Sequence, residues 1–95
     1  MKIETNKENN SVLVINDEVK AEVKIKNLMA WDRHSFPRWA MVDANTGKVL
    51  ASLSGGGSYG WIIHTKDESK RWLLLKVARE AQKAKLGWPW TNVQC

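Results

Sequence analysis

The sequence predicts an α+β fold: a small antiparallel sheet of about five strands with one C-terminal α-helix packed on it. Three observations carry this. Residues 18–26 alternate strictly, with Val19, Ala21, Val23 and Ile25 on one side and Glu18, Lys20, Glu22, Lys24 and Lys26 on the other, the pattern of a strand with one wet face. Further short apolar runs, VLVI at 12–15, RWAMV at 38–42, VLASL at 49–53 and YGWII at 59–63, are separated by turn residues. After residue 65 the period changes, and at about 100° per residue Leu73, Leu74, Val77, Ala78, Ala81 and Ala84 fall in one stripe. Strands followed by a single helix give a helix lying across an antiparallel sheet.

Element by element, residues 1–10 are polar and read as a frayed start or a short edge segment. Asn16 and Asp17 both tolerate positive φ and make a tight hairpin between the first two apolar runs. Residues 27–37 have no clean period, end in Pro37 and read as a connecting loop. Asn45, Thr46 and Gly47 supply the next turn, after which Val49, Ala51 and Leu53 face one way and Lys48, Leu50 and Ser52 the other. The glycine-rich stretch 54–60 joins two strands. Thr65 or Asp67 caps the helix, which runs to a stop at Gly87 with Pro89 beyond it. The tail 88–95 is short and aromatic. With 95 residues the chain reads as one domain, 1–95, carrying a polar N-terminal segment (1–10) and this tail (88–95).

Composition narrows the class. The net charge of +5 is uneven: residues 1–30 are neutral, 31–65 carry +1 and 66–95 carry +4. The basic C-terminal third is where an anionic partner would meet the chain. The lone cysteine, Cys95, excludes an internal disulfide and points to a reducing, cytoplasmic setting. No apolar run approaches the ~18 residues of a membrane span, and no secretory leader pattern is present, so no membrane association is expected.

Four stretches compete for a functional role. Gly55, Gly56, Gly57 and Gly60 suggest a phosphate loop, but a strand and not a helix follows them and no Lys-Ser/Thr pair is present, so they read as a hairpin connection. If that loop orders on a partner, Tyr59 and Trp61 are its contacts. Asp32, His34 and Ser35 have the residue types of a hydrolase triad, yet neighbours within one loop do not converge as a triad must. On the helix, Trp72, Lys76, Arg79 and Lys83 form one ridge opposite the apolar stripe, a surface for an anion or a protein partner unless the tail folds back over Trp72. The fourth is the sheet face away from the helix, where Lys48, with Trp39 and Trp61 on either face, offers a basic and aromatic platform if the N-terminal hairpin does not cover it.

The block Arg33–Leu86 resembles the ethylene-response-factor type of DNA-binding domain and the arm-binding domains of phage tyrosine integrases. RWA at 38–40 is similar to the family's basic-Trp-Ala strand start, and IHTKDE at 63–68 to its Thr-x-x-Glu entry into the helix, with Ile63 in place of an aromatic residue. The resemblance implies three antiparallel strands and a helix, with the sheet entering the major groove and Arg33, Arg38, Trp39 and Lys48 as contacts. The chain departs from that pattern in its longer glycine-rich loop, its bulkier helix and its extra hairpin.

The reading that follows is a non-enzymatic basic module without cofactor or metal. It binds nucleic acid, DNA in preference to RNA, through a basic and aromatic sheet and helix surface. The alternative is a protein-binding inhibitor or adaptor of the mobile-element kind, acting on a host nucleic-acid enzyme; a small hydrolase is the distant third.

Overall fold

A computed structural model describes residues 1–17, 19–27, 39–55 and 60–95. Six strands, β1 (Lys2–Asn6), β2 (Ser11–Asn16), β3 (Val19–Asn27), β4 (Trp39–Asp43), β5 (Val49–Gly55) and β6 (Trp61–His64), form one antiparallel sheet in chain order. Helix α1 (Glu68–Lys83) follows, and a 3-10 turn spans Trp90–Asn92. The fold class is as predicted, with six strands in place of about five. The added strand is β1, which the polar composition of residues 1–10 conceals; its register sets Ile3 against Val14 and Thr5 against Val12.

Each hairpin has a local cause. Asn10 (φ 51) and Asp17 (φ 47) hold positive φ at the first two turns, a conformation that Asn and Asp adopt more readily than most side chains. The β4–β5 turn is closed by Gly47, at φ 74, whose N–H donates to the Asp43 carbonyl at 2.6 Å. Here the simple alternation of β5 fails. Met41 pairs with Ala51 but Val42 pairs with Val49, so Leu50 is an extra residue in the ladder. A bulge of this kind re-aims the side chains beside it. Leu50 packs against the core, whereas Val49, expected inside, is 50% exposed. Val19, also expected on the core face, lies exposed at the strand's start.

The core fills the concave side of the sheet. Val12, Val14, Val23, Met41, Ala51, Leu53 and Ile63 meet Leu74, Val77, Ala78 and Ala81 of the helix. The helix touches β1 and β2 at one end of the sheet and β6 at the other, so the sheet curls around it. Asp67 caps α1 by accepting from the Ser69 and Lys70 N–H groups. The helix ends before the expected Gly87: Leu86 N–H reaches the Ala81 carbonyl and Lys85 N–H that of Gln82, with Lys85 itself at φ 59. That is a Schellman motif with lysine in the position glycine usually takes.

The tail is part of the core. Trp90 is fully buried, and its Nε1–H donates to the Asn10 carbonyl at 2.8 Å. Gln82 Nε2 donates to the carbonyls of Trp90 and Val93, and Val93 pairs with Trp61 at the edge of β6. Gly60 lies under this tail. A Cβ there would stand 2.6 Å from the Asn92 carbonyl oxygen, and φ is +74. Part of the glycine richness of the β5–β6 connection is therefore a packing requirement. The connection joins neighbouring antiparallel strands, as a hairpin should.

Two substitutions test these backbone assignments by urea denaturation. Gly60→Ala lowers stability by about 2 kcal/mol or more, because strain and the clash with Asn92 add. Lys85→Gly raises it by about 0.5–1 kcal/mol by relieving the left-handed lysine.

Candidate nucleic-acid interface

The helix ridge is exposed as its spacing requires. Leu74, Val77, Ala78 and Ala81 take the buried side of α1, which leaves Trp72, Lys76, Arg79 and Lys83 facing water. These four run about 16 Å along the axis at a rise of ~1.5 Å per residue. Trp72 is 65% exposed, and the tail does not cover it. The acidic residues of this segment are engaged locally: Glu68 pairs with Arg71 at 3.8 Å, Glu80 with Lys83 at 3.6 Å, and Asp67 is the helix cap. Lys76 and Arg79 have no carboxylate within ion-pair distance among the described residues. The positive charge of the C-terminal third therefore remains on the helix surface. The Cys95 thiol lies near this ridge; burial pushes its pKa up, and the Arg79 charge pulls it the other way.

The open sheet face is less aromatic than expected. Trp39 and Trp61 point to the helix side and are 8% and 6% exposed. Their rings stack at 5.0 Å between centroids, and Trp88 sets its ring edge-on to both, at 4.7 and 5.7 Å. Strand parity explains the placement: Trp39 pairs with core-facing Leu53, and Ile63, two residues from Trp61, faces the same core. Neither ring contributes to the face away from the helix. That face instead carries Lys20, Glu22, Lys24 and Lys26 of β3 and Ser52, Ser54, Ile62 and His64 of β5 and β6. The N-terminal hairpin leaves it open, because β1 and β2 extend the sheet beside β3. Lys48 is exposed in the β4–β5 turn, at the end of the sheet. Arg33, Arg38 and Tyr59 lie outside the described residues, as do Asp32, His34 and Ser35 and the connecting loop they belong to.

Three features escaped the reading of the sequence. Trp88 is 56% exposed over the stacked pair, and only its place beside Pro89 and Trp90 hinted at a role. Ser54 Oγ and His64 Nε2 hydrogen-bond across β5 and β6. Among the described residues no carboxylate orients that ring, so the pair lacks the third member of a triad. On β3, Glu22 accepts from the Ser11 hydroxyl, and this bond, with that from Asn9, holds its carboxyl below the usual range. No group of three metal-ligating side chains occurs among the described residues, and no described helix is long and apolar enough to cross a membrane. No protein-family model, curated protein or solved structure matches the chain.

The helix that presents the ridge depends on its cap. Hydrogen bonds from the Ser69 hydroxyl and then from the Lys70 N–H lower the Asp67 pKa in the folded chain. A depressed carboxylate pKa contributes stability that is present above the unfolded value of about 3.9 and is lost as pH falls through the folded one. Wild type is therefore more thermostable than Asp67→Ala near neutrality, and the gap closes on acidification. Melting both proteins by circular dichroism between neutral and strongly acidic pH reads this directly.

Proposed function

We propose that this chain binds nucleic acid through the outer ridge of α1, with Lys76, Arg79 and Lys83 on phosphates and Trp72 stacked on an unpaired base. The observation that carries the reading is the exposed indole in line with Lys76 and Arg79, which have no carboxylate within ion-pair distance among the described residues, and with Lys83, which pairs with Glu80 at 3.6 Å. Cations in steps of about 5–6 Å along a helix displace counterions from a phosphate backbone. An aromatic ring among them supplies base stacking without demanding a sequence. Lys20, Lys24 and Lys26 on the open sheet face add to the field that steers an anionic strand.

The resemblance to ethylene-response-factor and integrase arm-binding domains puts the contact on the sheet instead. The burial of Trp39 and Trp61 weighs against base contacts from those two rings and moves the aromatic contact to Trp72. DNA remains the preferred ligand under that resemblance. The second reading, a protein-binding inhibitor or adaptor acting on an enzyme of nucleic-acid metabolism, draws on the same exposed Trp72 as a hot spot. The chain is read as non-enzymatic in both.

Fluorescence anisotropy on labelled single- and double-stranded DNA and RNA at several salt concentrations tests the proposal. Binding weakens steeply with salt. The Lys76→Ala/Arg79→Ala/Lys83→Ala variant flattens the slope of log K against log salt by about 2–3. Trp72→Ala weakens single-strand binding roughly tenfold or more and leaves the salt slope in place. Binding and slope unchanged in the triple variant sink the proposal. Absence of binding at low salt, with a protein captured through Trp72, favours the second reading.

A further inference from the structure

Among the described residues, one edge of the sheet has nothing lying along it. At the β6 end, the tail occupies the edge at Trp61, where Val93 pairs and the Gln94 N–H donates to the Trp61 carbonyl at 2.8 Å. At the other end, β1 pairs with β2 on one side only, and among the described residues nothing hydrogen-bonds its outer side. An edge of this kind is a template for another strand, and proteins commonly blunt it with charge. The charges on β1 do not blunt it against itself. Lys2 and Glu4 flank Ile3 symmetrically, with exposed side chains on one face and an ion pair of 3.1 Å between them.

We infer that two copies of this chain pair through β1, antiparallel and centred on Ile3. In that register Ile3 lies opposite its own counterpart, and Lys2 of each copy lies opposite Glu4 of the other. A twofold interface must be complementary to itself, and LysIleGlu read in both directions meets that condition. The two intrachain ion pairs become a two-by-two block in which each charge neighbours its opposite along the strand and across it. Directly opposed unlike charges stabilise an antiparallel pair, and like charges destabilise it. The same axis, normal to the sheet, puts both helices on one side of a continuous sheet.

That side offers a second self-complementary element. Met1 and Ile3 line a hollow of about 310 Å³ with Lys76 and Glu80 of α1. It lies beside β1, and Met1 at its rim is exposed. The twofold brings a second Met1 towards Thr5 across the interface, closing apolar surface that the single chain leaves in water. Lys76 and Glu80 give the hollow one charge of each sign. The occupant this edge fits is therefore a second copy, since a strand of uniform charge meets a like charge at either Lys2 or Glu4.

Lys76 belongs both to this hollow and to the helix ridge, and a test without any ligand separates the pairing from what the ridge binds. Sedimentation velocity over a wide concentration range shows a monomer–dimer equilibrium for the wild type. Glu4→Lys and Lys2→Glu, each on an exposed side chain, weaken self-association roughly tenfold or more, because two attractive pairs become repulsive. An equimolar mixture of the two variants dimerises again, as does the double variant Lys2→Glu/Glu4→Lys, in which the charges are exchanged. A wild type that stays monomeric at every accessible concentration overturns the inference. So does a dimer indifferent to both single reversals, or a mixture of the two variants that fails to associate.

Discussion

The fold depends on the complete burial of one indole, that of Trp90. A tryptophan buries some 150–250 Å² of largely apolar surface but must find a partner for its N–H. The partner is the Asn10 carbonyl, in the turn that starts β2, so the ring ties the N-terminal hairpin to the tail. Asn10 makes a second link, its side-chain amide donating to the Trp88 carbonyl at 3.1 Å. Gln82 holds the same tail from the helix, through the Trp90 and Val93 carbonyls. Gly60 lies against Asn92 because a side chain there would lift the tail from β6. Hairpin, helix and last strand thus converge on one side chain.

That arrangement explains which surfaces are left for a partner. With Trp90 in the core and Trp88 laid over Trp39 and Trp61, the tail is committed to one end of the molecule. Trp72, near the start of α1, is therefore left 65% exposed by the tail. The two tryptophans that suggested a binding sheet, Trp39 and Trp61, are sealed with Trp88 into one ring cluster. The cations follow a different rule: lysine and arginine stems lie along apolar surface while their heads reach water. The helix ridge and the β3 lysines therefore stay accessible wherever the aromatics go.

Much of the fold was legible, and its failures are local. The alternation of 18–26 pointed to β3, Asp67 was one of the two caps offered beside Thr65, and the apolar stripe pointed to the buried side of α1. Residues 1–10 read as either a frayed start or a short edge segment, and the second is what forms; the sequence left the choice open because an edge strand buries little and KIETN carries too few apolar residues to show a period. The phase of β5 was lost at Leu50, since a bulge changes which side chains face inward without changing their order. Gly87 was the reasonable stop for the helix, and the chain stopped instead at a lysine forced to positive φ by the bonds around it. The ridge of the candidate site was legible because helical spacing alone defines it. The orientation of Trp39 and Trp61 was not, because an isolated aromatic on a strand is assigned to a face only by its cross-strand partners.

The contact between Trp90 and Asn10 spans 80 residues of chain, whereas every strand pairs with its neighbour in sequence. The two kinds of contact belong to different stages of folding. A meander of hairpins closes short loops, and short loops form early and at small entropic cost. The ring that locks the ends together closes a loop of 80 residues. It therefore sets into a sheet already assembled, and acts less as a nucleus than as a latch. A chain in which that latch is weakened keeps a near-normal rate of folding and loses its native state through faster unfolding.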